Sequence, residues 1–181
     1  PVFYGTLARF GFFPVAELAT FRKLNSRLQG HPTTHEHLEG IRMSSGSLGQ
    51  GLSVGIGVAL AKKLNGDKSL VYTLHGDGEL QEGQIWEAAL SAPKYKLNNL
   101  IAFTDANNGQ IDGHVTEVMD LRPLADKWRA FRWAVQEIDG HDFGQILGAL
   151  EQARAETERP TMIIARTIKG KGVSFMENNI G

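Results

Sequence analysis

Two short, apolar, β-prone runs constrain this chain more than any other feature. Leu70 to Leu74 is the first, Leu100 to Thr104 the second, and a helical pattern separates them. Oxygen-bearing side chains follow each run: Asp77 in Gly76-Asp77-Gly78, then Asp105, Asn107 and Asn108. Strand, helix, strand spells a βαβ unit, in which successive parallel strands point the same way. Asp77 and Asn107, 30 positions apart, therefore arrive at one edge of the sheet. Open α/β sheets bind ligands at that carboxyl edge. A carboxylate, an amide oxygen and a nearby backbone carbonyl suit a hard cation such as Mg²⁺, which ordinarily keeps phosphate oxygens in its shell. Gly-Asp-Gly by itself also fits a type I′ turn.

The remaining pattern extends this unit. Strands are expected near 70–75, 100–104, 133–138 and 161–167, with helices between them. That alternation predicts a parallel sheet covered on both faces. The opening, Pro1 to Leu7, reads as helix interior without a capping residue, and Glu17 to Leu24 reads as a short helix with Leu18, Phe21 and Leu24 on one face. A helix reaching about Leu64 carries Leu52, Ile56, Leu60 and Leu64 at a spacing of four. Further helices are expected over most of Glu79 to Lys96, over Asp120 to Phe131 with an early interruption at Pro123, and from Phe143 to about Thr157. Asp142 is the expected N-cap of the last, and Phe143, Ile146, Leu147 and Leu150 its apolar face.

Composition excludes several function classes. The net charge of −1 supplies no basic field for nucleic acid or a membrane surface. The absence of cysteine removes disulfides and thiol nucleophiles, and no apolar run is long enough for a transmembrane helix. The 21 glycines cluster at 46–57, 76–83 and 170–172, which suggests backbone brought close to a ligand or another helix. Three histidines, His31, His35 and His37, share one loop; for His35 and His37 a solvated polar loop is the simpler reading. Glu82 and Glu87 lie about 140° apart round a helix and read as solvated surface. Asn98-Asn99 precedes its strand, so it cannot serve the edge that Asn107-Asn108 reaches. Lys169-Gly170-Lys171-Gly172 lacks P-loop spacing, and Lys171 reads as surface.

The run Gly-Asp-Gly-Glu-Leu-Gln-Glu-Gly over 76–83, followed by Asn107-Asn108 and by Gln-Ile-Asp-Gly over 110–113, resembles the signature of thiamine-diphosphate enzymes, and of transketolase in particular. It is most similar to the N-terminal subunit of a split transketolase, and the resemblance covers nearly the whole chain. It implies one thiamine-diphosphate-binding domain over 1–181, a three-layer α/β/α sandwich with a mostly parallel sheet, truncated at its N-terminus. It also implies transfer of a two-carbon ketol unit from a ketose phosphate to an aldose phosphate. The cofactors would be thiamine diphosphate and Mg²⁺, with Ca²⁺ or Mn²⁺ as substitutes.

The resemblance assigns roles residue by residue. Asp77, Asn107 and the carbonyl of Gly109 would clamp the metal. Gly78 would contact a phosphate through its backbone, and Lys169 would lie near the diphosphate. Gly46 and Leu48 would present backbone to the aminopyrimidine. His31, in Gly30-His31-Pro32, would meet the donor sugar's hydroxyls, and Glu82 and Glu87 would join an acidic chain between two active sites at a subunit interface. The glutamate that activates the pyrimidine would come from a partner: a C-terminal transketolase subunit or domain, in a homo- or hetero-oligomer. The family's Ser-x-Gly-His segment before the first helix and its Trp-His-Gly segment after 181 are absent, so the chain reads as a fragment, inactive alone. A cytoplasmic place in carbohydrate metabolism, as in the pentose phosphate pathway, goes with the family. Two rivals share the scaffold: another thiamine-diphosphate enzyme (1-deoxyxylulose-5-phosphate synthase-like or 2-oxoacid dehydrogenase-like) and a non-catalytic assembly subunit. Gln81-Glu82-Gly83 and Gly30-His31-Pro32 favour transketolase over the first, and the intact metal residues argue against the second.

Overall fold

The computed structural model describes residues 1–179; these form two compact units, one over Pro1–Leu48 and one from Gly49 onward. In the first unit α1 (Val2–Arg9) leads to a 3₁₀ turn over Val15–Thr20 and another over Thr34–Glu36. Tyr4, Leu7, Ala8, Phe13, Leu28 and Leu38 make its core. The Tyr4 hydroxyl donates to the Gln29 carbonyl at 2.9 Å and thereby ties down the chain just before Gly30-His31. The helix expected over Glu17 to Leu24 is shorter and earlier, a 3₁₀ turn begun by Pro14. It cannot continue because Arg22 and Asn25 both adopt φ of 60°, outside the right-handed helical region. Leu18 and Phe21 pack on the core, but Leu24 is exposed.

The second unit is built on β1 (Val71–Gly76), β2 (Leu100–Ala106), β5 (Ala134–Asp139) and β6 (Thr161–Arg166). These form one parallel sheet in the order β1-β2-β6-β5. The last strand is inserted between the second and third, so β2 and β6 are central. Side chains alternate with period two. Leu100, Ala102, Met162 and Ile164 face α2 (Gln50–Leu64), α3 (Gly83–Lys94) and α5 (Leu124–Ala130). Ile101, Ile138 and Ile163 face α6 (Phe143–Ala155). Helices therefore cover both faces, as the sequence predicts. A hairpin of β3 (Gly109–Gln110) and β4 (Gly113–His114), followed by α4 (Val115–Val118), stands beyond the end of β2.

Several local expectations are corrected. The helix expected from Glu79 begins as a 3₁₀ turn over Gly78–Gln81, breaks at the extended Glu82 and restarts as α3. Burial of Leu80, and the Trp86 indole donating to its carbonyl at 3.0 Å, hold that break. α5 begins only after Pro123, which sits at its N-cap in extended conformation. In α2, Leu52 and Ile56 are buried but Leu64, in the last turn, is exposed. On α6 the buried positions are Ala149 and Ala153, with Ile146 partly buried, whereas Phe143 and Leu147 face solvent. Small residues let this helix lie close to the sheet. Asp142 does cap it, accepting from the Gly144 and Gln145 amides.

Candidate functional site at the carboxyl edge of the sheet

Asp77 directly follows β1, and β2 runs parallel beside it, so Asp77 and Asn107 leave the sheet at the same edge. Asp77 has φ −65° and ψ −36°, which rules out the type I′ turn, since that turn needs positive φ. It caps the 3₁₀ turn instead. Its Oδ1 accepts from the Gly78 amide at 2.9 Å and its Oδ2 from the Asn108 amide at 2.6 Å. One carboxylate thus ties the two strand ends together. It is only 7% exposed. Burial pushes the Asp77 carboxyl above its ordinary value and the nearby Asp105 charge adds to this, while the two amides work in the opposite direction.

The Asn107 amide oxygen accepts from the Gly109 amide at 2.8 Å, which fixes the turn into the β3–β4 hairpin. Asn108 takes φ of 60°, a left-handed conformation to which asparagine is better suited than most residues. Its side chain accepts from Thr116 at 3.1 Å and its carbonyl from Val115 at 3.0 Å. Asn108 is thus the hub between Asp77 and the hairpin. Sequence reasoning quoted it without giving it a role; an Asn-Gly pair at a strand end was the available signal.

Glu79 is a second residue that sequence reasoning left without a role. Its carboxylate accepts from the Gly49 amide at 2.8 Å and the Gly76 amide at 3.2 Å, and lies 3.8 Å from Nδ1 of the buried His75. Burial raises the Glu79 carboxyl, but the His75 imidazole and the two amides outweigh it and hold the group below its ordinary value. Glu79 therefore fills the N-terminus of α2 with a negative charge from the chain itself.

The predicted site residues divide between the two units. Asp77, Gly78, Asn107 and Gly109 come together at the carboxyl edge. Lys169 is exposed a few residues beyond β6, whose end lies at that same edge. Glu82 and Glu87, at the start and in the second turn of α3, are both exposed. His31, Gly46 and Leu48 belong to the first unit. There the His31 ring lies against Gly46: a Cβ on that glycine, at φ +115°, would come within 2.7 Å of the imidazole. Leu48 is half exposed. Asn99, by contrast, is buried and donates to the Ala59 carbonyl at 2.9 Å, pinning α2 to the start of β2.

A cavity of about 730 Å³ opens beside Asp77 and Asn108, and Arg122, Arg129 and Arg166 reach it. Asp120, Asp126 and Glu137 pair with those arginines, each at 2.7 Å. The charge of each of these three arginines is therefore opposed by a neighbouring carboxylate. Among the described residues no three His, Cys, Asp or Glu side chains gather as a metal site. The edge does carry the Asp77 carboxylate and the Asn107 amide oxygen, both hard oxygen donors.

The sequence profile of the transketolase thiamine diphosphate binding domain matches residues 2–180. The chain belongs to this family. Over 180 residues it is 48% identical to the 6-deoxy-6-sulfo-D-fructose transketolase subunit SqwG of Clostridium sp. (strain MSTE9), a match covering 99% of this chain and 65% of that protein. It is 42% identical to one of the subunits of the apulose-4-phosphate transketolase of Actinobacillus succinogenes, covering 97% of this chain and 63% of that one. The crystal structure of Campylobacter jejuni transketolase superposes with a TM-score of 0.82 at 37% identity, over 91% of this chain and 26% of that one. This transketolase-family chain thus spans about two thirds of the length of the subunits it matches. The recognition of a transketolase thiamine-diphosphate domain, most like the N-terminal subunit of a split enzyme, and the mostly parallel α/β fold are both borne out.

Proposed function

We infer that this chain is the cofactor-binding half of a transketolase, transferring a two-carbon ketol unit between sugars with a partner chain. The observation that carries the reading is the Asp77 carboxylate bridging Gly78 and Asn108, because it joins the two halves of the cofactor motif at the ligand-binding edge. The donor set fits Mg²⁺. Asp77 uses one lone pair on each oxygen for an amide and keeps others for a metal, and Asn107 and Gly109 add neutral oxygens; Ca²⁺ or Mn²⁺ can stand in for it. Gly78 fits a close backbone approach, since a Cβ there would lie 2.9 Å from Cβ of Gln110. Lys169 would add positive charge toward the diphosphate, and Gly46 and Leu48 backbone toward the aminopyrimidine. When bound, thiamine diphosphate supplies the nucleophilic carbon for cleaving and remaking a bond next to a ketone. His31 would orient the donor sugar by its hydroxyls.

In this reading a C-terminal transketolase subunit or domain would supply the glutamate that activates the pyrimidine, as the subunit names of the relatives suggest. The names of the relatives extend the substrate class from sugar phosphates to sulfonated sugars. Exposed apolar side chains on both helices, Val54 and Val58 on α2 and Leu90, 64% exposed and three residues from Glu87, on α3, suit an oligomeric assembly. No described helix is long and apolar enough to cross a membrane, and a cytoplasmic setting fits the substrates. One experiment tests the reading: the chain, alone and mixed with its natural partner, is assayed on xylulose 5-phosphate with ribose 5-phosphate and with a sulfonated ketose, while sedimentation follows assembly. Turnover should appear only in the mixture. Turnover by the lone chain, or none in a formed complex on either donor, refutes it.

A further inference from the structure

The end of β6 is held by more than its strand partners. On one side the Thr167 amide donates to the Ala106 carbonyl at 3.2 Å and its hydroxyl to the Asp105 carboxylate. Asp105 in turn accepts the Asp77 amide on its carbonyl at 3.2 Å. On the other side the Gly140 amide donates to the Arg166 carbonyl at 2.8 Å, the last backbone rung between β5 and β6. A continued parallel ladder would next bring the Ile168 amide to the Gly140 carbonyl. The chain turns away here toward α6, and Nε2 of His141 takes the Ile168 amide instead, at 2.8 Å. An imidazole nitrogen replaces a carbonyl and extends the ladder by one rung.

The loop that carries His141 is built to reach that far. Asp139 accepts the His141 amide on its side chain at 2.8 Å and the Asp142 amide on its carbonyl at 3.2 Å. Gly140 lies so close to β6 that a Cβ would meet Cγ2 of Thr167 at 2.6 Å and the Arg166 carbonyl at 3.1 Å. The rung sits immediately before Lys169, the cation that the proposed function sets toward the diphosphate. Nε2 serves as the acceptor in this rung.

We propose that His141 is a positioning residue of the cofactor site: by accepting the Ile168 amide it fixes the backbone from which Lys169 reaches the carboxyl edge. The proposal rests on the reading that this edge binds thiamine diphosphate. His141 is outside the set of residues assigned to touch cofactor or substrate, and acts through Ile168 and Lys169.

The test is a double-mutant cycle on the assembled complex, titrated with thiamine diphosphate in excess Mg²⁺. His141→Ala should weaken binding about tenfold, the scale of one lost hydrogen bond. His141→Gln, whose Oε1 can stand where Nε2 stood, should bind within about twofold of the parent. In a Lys169→Ala background, His141→Ala should add nothing further. Hydrogen exchange on the complex gives a readout independent of the cofactor: the Ile168 amide should be protected in the parent, exchange faster in His141→Ala, and be protected again in His141→Gln. If His141→Ala fails to fold, Gly140→Ala makes the same test by lifting the loop from β6. Unchanged affinity in the single variant, or a full additive loss in the Lys169→Ala background, overturns the positioning role while leaving the proposed function standing. A parent complex that forms but does not bind thiamine diphosphate overturns both.

Discussion

Replacing Asp77 tests the metal clamp most directly, and Asp77→Asn is the informative change. The native carboxylate, 7% exposed, accepts two amides, from Gly78 at 2.9 Å and Asn108 at 2.6 Å. Alanine would leave both amides without a partner, at about 1–3 kcal/mol each, and could unfold the edge before any cofactor is added. Asparagine keeps one acceptor and turns an NH₂ toward the other amide, so the fold should lose only about 1–3 kcal/mol. The formal charge facing the cation is nevertheless gone. Losing one member of a buried charge pair costs about 2–5 kcal/mol, which is about 30- to 4,000-fold in affinity. Thermal melts of the apo complex would establish that Asp77→Asn is folded, and calorimetric titration with thiamine diphosphate and excess Mg²⁺ would read affinity. Asn99→Ala is the control: it removes the hydrogen bond to Ala59 and should lower stability without changing cofactor affinity. A folded Asp77→Asn complex that binds like the parent would refute the clamp, and loss of binding in Asn99→Ala alone would place the site at the opposite end of the sheet.

Two further outcomes follow from packing and from titration. Gly55 lies within α2, where Gly→Ala ordinarily stabilises by about 0.5–1 kcal/mol; here the new Cβ would run into the Thr73 methyl, so Gly55→Ala should destabilise by about 1–3 kcal/mol. Thr73→Ser removes that methyl and keeps the hydroxyl that meets His75 Nε2 at 2.9 Å, so the double variant should recover most of the loss in urea denaturation, and no recovery would show that the strain lies elsewhere. The Gln145 amide, with the Gln145 side chain and the Gly144 amide, holds the Asp142 carboxyl below its ordinary value. The folded chain therefore binds this proton less readily than the unfolded chain. The stabilisation is complete above the unfolded value of about 3.9 and is lost as pH falls through the lower folded value. Asp142→Asn keeps a capping acceptor that does not titrate, so its melting temperature should fall less than the parent's between about pH 4 and pH 2; parallel profiles would contradict this.

The sequence by itself determined the order of strands and helices and the edge at which chemistry is possible. The apolar, β-prone runs at Leu70 and Leu100 and the oxygen side chains after them are local signals, and a βαβ crossover turns them into a shared edge with little freedom. It also separated Asn99 from Asn107, because position before or after a strand depends only on chain direction. Asp142 as a cap was legible for the same reason: the interaction spans 3 residues.

Tertiary structure alone decided what depends on partners distant in sequence. The insertion of β6 between β2 and β5 depends on pairing Thr161–Arg166 with a strand about 60 residues earlier, and strand propensity, a local quantity, does not specify such partners. The turn chosen by Gly-Asp-Gly followed from Asp77 meeting an amide 31 residues away, which excluded the type I′ alternative that three residues permit. On α6, Phe143 and Leu147 matched a helical period yet face solvent, while Ala149 and Ala153 pack on the sheet; close approach of backbone to backbone, and not hydrophobicity alone, set that face. The replacement of a carbonyl by His141 in the ladder is likewise invisible in the sequence, because it arises where one strand ends a residue before its neighbour has finished pairing.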